Sequence, residues 1–280
     1  MNYNELYNEC AGALKDAGVG NFSNEARWLV LEPFQLSGAV LFSGAAVPPE
    51  QLTRVRELCS RRCRREPLQY LLGSAPFGEL ELAVSPAVLI PRSETICLVE
   101  YALKHIPYSG SMLDVGCGSG AIALLAAYRR PDIRVTALDK SPEALEVAKF
   151  NADSLKLENF PEFLESDLLS AVPDRRFDLI AANLPYVTFE EYEHLEPEVR
   201  VYEPELALTA PDDGMALISR LISDAPGALN PGGTIVLEMS PHQTPRAVAE
   251  LTASGCEKIT VFADQYGKMR FVAAAVPGNA

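Results

Sequence analysis

The sequence predicts an α/β protein, a mostly parallel sheet covered by helices on both faces, with a small helical bundle in front of it. Three observations predict this. From about residue 111, short apolar runs alternate with helical stretches; before residue 75, apolar residues recur at helical spacing; and the two parts differ in charge. Residues 1–75 carry 8 basic and 8 acidic side chains, which leaves 24 − 8 = 16 basic and 38 − 8 = 30 acidic for residues 76–280. The second part therefore holds the whole net charge of −14. A chain of 280 residues, 48% hydrophobic and 22% charged, can bury a sizeable core and divide into two domains. That composition excludes collagen, disorder and a small disulfide scaffold, and no apolar run reaches the ~18 residues of a membrane helix. The opening stretch MNYNELYNEC lacks the basic and apolar regions of a signal peptide, so a cytoplasmic location is expected, with the six cysteines as thiols. The acidic excess argues against stable nucleic-acid binding through many neutralised phosphates.

In chain order, the first region (1–75) places Leu6, Cys10, Ala13, Leu14 and Ala17, then Ala26, Leu29 and Val30, then Leu52, Val55 and Leu58 on helical faces. Ser23 before Asn24-Glu25 reads as a helix N-cap, Pro48-Pro49-Glu50 as a second helix start, and Trp28 as a core residue. Residues 76–95 alternate apolar and polar around Ser85-Pro86, which predicts a hairpin linker turning there. The remainder (96–280) gives strands SMLDV, IRVTALD, FDLIAAN and TIVLEM, and helices AIALLAAYRR and PEALEVAKFNA. The stretch ITVFADQYGKMRFVAAAV predicts two antiparallel strands at the sheet edge.

The first strand runs into Asp114-Val115-Gly116-Cys117-Gly118-Ser119-Gly120. Glycines at alternate positions let the backbone turn sharply and approach a ligand closely. The next strand ends in Asp139, placed to accept hydrogen bonds from a ribose diol. A dinucleotide loop presents G-x-G-x-x-G, whereas this loop is G-x-G-x-G, which favours a nucleoside ligand without a pyrophosphate. S-adenosylmethionine fits that description. Asp114 is a candidate for its cationic end, and Asp167 and Leu168 are candidates for its adenine; Asp167 equally well begins a helix.

The fourth strand ends in Asn183-Leu184-Pro185-Tyr186. An amide or exocyclic amine nitrogen is a poor nucleophile because its lone pair is delocalised, so its N–H groups must be held with the lone pair aimed at the methyl group. The Asn183 side-chain oxygen and the Leu184 carbonyl offer two acceptors, Pro185 biases Leu184 toward an extended conformation, and Tyr186 offers a face for a planar group.

With these residues in place, the chain resembles the bacterial N5-glutamine methyltransferases of peptide chain release factors (the PrmC/HemK family). The resemblance runs through Pro67–Gly73, Leu89–Thr95, the glycine loop, Asn183–Tyr186, Glu191–Leu195, Tyr202–Leu208 and Pro231–Gly233. It implies a class I, Rossmann-like S-adenosylmethionine-dependent methyltransferase domain and an N-terminal helical substrate-recognition domain. The implied reaction methylates the glutamine of the release factor's Gly-Gly-Gln motif and leaves S-adenosylhomocysteine. Gly116, Cys117, Gly118, Ser119, Gly120, Asp139, Leu168 and Asn183 are then expected on the cofactor, and Asn183 to Tyr186 on the glutamine amide. The sequence departs from the family at Leu184, where proline is usual, at Ser93, also a usual proline, and at Leu168, aromatic in some members.

The alternative is an adenine N6-methyltransferase acting on RNA or DNA, since the same acceptors suit an exocyclic amine. That reading calls for a basic surface, but residues 187–215 carry nine acids and one base, a net of −8. They are expected either as a solvated loop or as a mouth for a basic protein partner. Six arginines from Arg54 to Arg65 stand against one acid, Glu57, and are expected as a solvated face or a release-factor contact. Cys59 and Cys63 have no histidine or second cysteine pair nearby, and His105, His194 and His242 are scattered. Neither a metal site nor acyl-transfer chemistry is expected. The expected assembly is a monomer that does not associate with membranes.

Overall fold

The computed structural model describes residues 1–157 and 159–278, and the chain forms two compact units. One comprises Met1–Ser74 with Glu196–Tyr202, the other Ala75–Leu195 with Glu203–Ala280.

The first unit is helical: α1 (Tyr3–Asp16), α2 (Phe22–Leu31), α3 (Pro49–Cys63) and α4 (Leu68–Leu72). A reciprocal capping box between Asn2 and Glu5 starts α1, and Pro49 occupies the first turn of α3. Leu6, Leu14, Leu29 and Leu58 are fully buried between the helices, whereas Ala13 is exposed. Two expectations fail here. The N-cap of α2 is Asn21, and Ser23 lies inside the first turn with its hydroxyl bonded to that of Tyr7 at 2.8 Å. Trp28 is 39% exposed, because the buried face of α2 is Ala26, Leu29 and Val30 and residue 28 points off it.

The arginine-rich stretch is only in part a solvated face: Arg54, Arg56 and Arg64 are exposed, whereas Arg61, Arg62 and Arg65 are buried or half-buried. Arg62, buried on α3, pairs with Glu25 and, at 2.9 Å, with Glu198; Arg65 meets Glu198 at 2.6 Å and Glu196 at 3.1 Å. Arg56 pairs with Glu9 and Arg61 with Glu66. Part of the acidic segment is thus the internal partner of the basic one, in the same compact unit. Burial explains why: an arginine that loses water needs carboxylates around it.

In the second unit, β1 (Ser74–Phe77, in this unit from Ala75) and β2 (Leu80–Ala83) form a separate hairpin. It turns at Gly78-Glu79, with Gly78 at φ 60°, and not at Ser85-Pro86 as expected; glycine takes the left-handed conformation that a two-residue turn needs. The main sheet has seven strands: β3 (Ser111–Val115), β4 (Arg134–Asp139), β5 (Glu162–Glu165), β6 (Phe177–Ala182), β7 (Leu229–Glu238), β8 (Glu257–Ala263) and β9 (Met269–Ala275). Their order is β5-β4-β3-β6-β7-β9-β8, parallel from β5 to β7, with β9 and β8 antiparallel as expected.

Alternate residues of each central strand face opposite cores. Met112, Leu179 and Ala181 join the core under α5 (Ile96–His105), α6 (Ala121–Arg129) and α7 (Pro142–Leu155). Leu113, Ile180 and Ala182 join the core under α8 (Ala216–Ala228) and α9 (Thr244–Ala253). This is the sheet of a class I methyltransferase fold. The chain leaves β3 toward β4 and returns to β6 on the other side, so strand order reverses between β3 and β6. Loops after these two strands flank a crevice at the carboxyl edge of the sheet. Among the described residues no helix is long and apolar enough to cross a membrane.

Candidate active site

The glycine loop is held by its own backbone. Gly116, Gly118 and Gly120 stand at φ 78°, 54° and 83°, where side chains with a Cβ are strained. The amides of Gly116 and Cys117 both donate to the Leu138 carbonyl, at 2.8 and 2.9 Å, and the Gly118 amide donates to Asp139 Oδ2 at 2.8 Å. The loop is therefore tied to the end of β4 before it enters α6. A Cβ on Gly116 would lie 2.9 Å from Leu184 Cδ2, whereas one on Gly118 would meet nothing within 4 Å. Asn151 on α7 secures the far side, donating to the carbonyls of Ser119 and Ala83 and accepting from the Ala83 amide.

Beside the loop lies a cavity of about 350 Å³. Its walls include Gly116 to Ser119, Asp139, Asp167, Leu168 and Asn183 to Pro185, joined by Val88, Leu89, Arg92 and Thr95. Glu203 braces the latter wall: it is buried, accepts from the Ile90 amide at 3.1 Å and pairs with Arg92 at 2.6 Å.

Asp139 keeps its carboxylate at the cavity edge, with the Ser141 amide on Oδ1, and burial pushes it above the usual carboxylate range. Asp167 is turned toward Lys140 and Arg220, at 3.0 and 3.1 Å; the Lys140 hydrogen bond, the largest cause, holds it below its usual range. Leu168 is buried at φ 51°, its carbonyl accepting from the Ser166 hydroxyl at 2.6 Å. Cys117 lines the cavity, and burial raises its thiol well above the usual value, so it serves as a small apolar wall.

Three of the expected site residues, Gly120, Asp114 and Tyr186, do not line the cavity. Gly120 is buried at the start of α6, where a Cβ would lie 2.9 Å from Leu124 Cδ1. Asp114 lies beneath the loop, 0% exposed; its Oδ2 accepts from the Ala123 amide, its Oδ1 has no partner among the described residues, and burial pushes it up to about 7. Tyr186 is half-buried and packs against the core on the α8 and α9 side, and desolvation pushes its phenol up to about 12. Its backbone is clamped instead. The Tyr186 carbonyl accepts from Gln243 Nε2 at 2.9 Å, and a Cβ on Gly214 would lie 2.0 Å from that oxygen.

Asn183 Nδ2 donates to Thr95 Oγ1 at 3.1 Å, and Thr95 Oγ1 donates to Glu238 Oε2 at 2.7 Å. Glu238 is 1% exposed and burial pushes it up to about 7. Sequence reasoning missed Thr95, Glu238, Gln243 and Gly214. One signal was present: Glu238 ends a buried parallel strand, just as Asp139 does.

Comparison with known proteins bears on this geometry. Residues 95–196 match the family described as Methyltransferase small domain, and residues 5–73 match the PrmC N-terminal domain. The release factor glutamine methyltransferase of Geobacter sulfurreducens is 37% identical over 252 residues, covering 89% of this chain and 88% of that one. The protein of the same name from Deinococcus radiodurans is 35% identical over 100% of both chains. A methyltransferase crystal structure from Pyrococcus furiosus superposes with a TM-score of 0.54 at 19% identity, covering 72% of this chain and 91% of that one, a likeness of fold.

Proposed function

Since the chain belongs to the release factor glutamine methyltransferases, we propose that it transfers a methyl group from S-adenosylmethionine to the side-chain N5 of the Gly-Gly-Gln glutamine in class I peptide chain release factors. The observation that carries this reading is the position of Asn183, an amide at the wall of a glycine-cradled cavity, followed directly by Leu184 and Pro185.

The residues present fit the cofactor. Asp139 has lone pairs left for a diol, the open space at Gly118 admits a close ligand, and Asp114 Oδ1, without a partner among the described residues, leaves an acceptor beneath the loop. When bound, the cofactor supplies a methyl group already activated by a sulfonium. The chain's own part is positional. Asn183 Oδ1 and the Leu184 carbonyl accept from the two glutamine N–H groups, so the nitrogen lone pair faces the methyl group. No strong base is required, because the proton leaves late. Leu184 keeps the carbonyl that the usual proline would offer, and its side chain fills the space over Gly116. Tyr186 acts through its backbone clamp rather than as an open stacking face. The helical unit serves release-factor recognition in this reading. No observation favours adenine as the acceptor.

The test is methylation of purified release factor by labelled S-adenosylmethionine, with wild-type substrate and with the Gly-Gly-Gln glutamine changed to alanine. Label appears only on the wild-type substrate if the reading holds; equal labelling sinks it. Asn183→Ala lowers methyl transfer by about a hundredfold or more, with cofactor Kd shifted by less than about threefold. Near-normal turnover in that variant removes the assigned role.

A further inference from the structure

We propose that Thr95 and Glu238 are positioning residues that decide which end of the Asn183 amide faces the cavity. The inference rests on the functional reading above and extends it to two residues outside the acceptor motif. An asparagine amide has two ends of nearly the same shape, and only the oxygen accepts hydrogen bonds. Shape therefore does not choose between them; hydrogen-bond polarity does.

The polarity is fixed from the back of the site. An ionised Glu238 has acceptors only, so the single proton of the Thr95 hydroxyl goes to Oε2 across the 2.7 Å contact. The Thr95 oxygen then has only lone pairs left for Asn183, 3.1 Å away, which selects the Nδ2 end. Oδ1 is left to accept from substrate. The arrangement is built into the fold: β6 and β7 pair with Ala182 opposite Leu237, which brings the next residues, Asn183 and Glu238, side by side. Thr95, at the start of α5, bridges them. Thr95 and Glu238 are 4% and 1% exposed, so water does not replace either bond.

The reverse polarity has a defined cause. A protonated Glu238 donates to Thr95, Thr95 donates to Asn183 Oδ1, and the NH2 end turns toward the substrate's own N–H groups. The charged and titratable groups around Glu238 are Arg270 on β9, Arg92 and Glu94 ahead of α5, and the Tyr186 phenol; the two arginines favour the carboxylate and Glu94 opposes it.

The experiment compares Thr95→Val, Thr95→Ser and Glu238→Gln in the full chain, measuring kcat, release-factor KM, cofactor Kd, Tm and the pH profile of kcat. Thr95→Val, close in shape, lowers kcat by about tenfold to a hundredfold with cofactor Kd within about threefold, and Thr95→Ser recovers kcat to within about threefold of wild type. In an Asn183→Ala background, Thr95→Val has no further effect, because the residue it orients is gone. The wild type is expected to lose kcat on acidification as Glu238 gains its proton near pH 7, and Glu238→Gln flattens that loss. Wild-type kcat in Thr95→Val, a serine variant as slow as the valine one, additive losses with Asn183→Ala, or an unchanged pH profile in Glu238→Gln overturns the proposal. Should Thr95→Val not fold, the Glu238→Gln profile decides. A fully active Asn183→Ala enzyme instead overturns the functional reading itself.

Discussion

The glycine loop and the acceptor segment sit at the ends of neighbouring strands, β3 and β6, and both line one cavity. The loop owes its shape chiefly to residues within itself and to the adjacent strand end, three left-handed glycines and amides bonded to Leu138 and Asp139, with Asn151 of α7 bonded to Ser119. The acceptor segment owes its shape to side chains brought from far along the chain. Thr95 lies 88 residues before Asn183, and Gln243 lies 57 residues after Tyr186. A cradle for a constant cofactor can be written into one short stretch. A holder for two N–H groups needs both backbone and side chain fixed in three dimensions, and only the assembled fold supplies that.

The strongest way to break this contrast is Gly214→Ala. At φ 76°, with its Cβ 2.0 Å from the Tyr186 carbonyl and 2.5 Å from Gln243 Nε2, alanine cannot enter without moving the clamp. Methyl transfer falls by about a hundredfold and Tm by roughly 5–10 °C, while the cofactor Kd measured on the folded protein stays within about threefold. Calorimetric titration beside the activity assay separates the two. A parallel loss of cofactor binding would mean that the two loops are one mechanical unit.

Gly118→Ala perturbs the other side. Its Cβ meets no atom, so the cost is the left-handed φ of 54°, about 1–2 kcal/mol, plus intrusion into the cavity wall. Cofactor Kd weakens about tenfold, and kcat at saturating cofactor stays within about threefold. A fall in kcat with unchanged Kd would assign the loop a part in orienting the acceptor and end the contrast.

The same division governs what was legible in the sequence. Strands β3, β4 and β6 follow from local apolar runs, and the glycine loop with Asp139 is visible because its parts are close in the chain. The hairpin turn, at Gly78-Glu79 and not Ser85-Pro86, was a local signal misplaced; most of the rest that failed depends on a distant partner. Trp28 looks like core until the buried face of α2 is fixed by α1 and α3. Arg62 and Arg65 look solvated until Glu25, Glu196 and Glu198 reach them. The acid-rich segment reads as a solvated loop or a docking mouth; Glu196, Glu198 and Glu203 turn out to be paired internally and Glu191 to close a capping box on Thr188, while Glu190, Glu193, Glu205, Asp212 and Asp213 are exposed. Thr95 falls in a stretch that matched the family, but its bond to Glu238 joins residues 143 apart, beyond any local pattern.

Asp114→Asn has the smallest expected effect on methyl transfer, less than about threefold at saturating cofactor, and tests whether the loop's support is electrostatic as well as conformational. The Asp114 carboxyl is raised from 3.8 to about 7 by burial, so the folded chain holds that proton where the unfolded chain has released it. For an acid with a raised folded pKa, stability falls as pH rises between the two values and is flat above the higher one, with a slope of at most about 1.4 kcal/mol per pH unit. Asparagine keeps an acceptor for the Ala123 amide and has no proton to release. The variant therefore gains stability relative to wild type from about pH 4 to about pH 7 and no more beyond it, as read from urea midpoints across that range. Bound cofactor shrinks the gain if Asp114 faces its cationic end, because the positive charge lowers the carboxyl toward its ordinary value. An equal gain with and without cofactor would confine Asp114 to holding the start of α6.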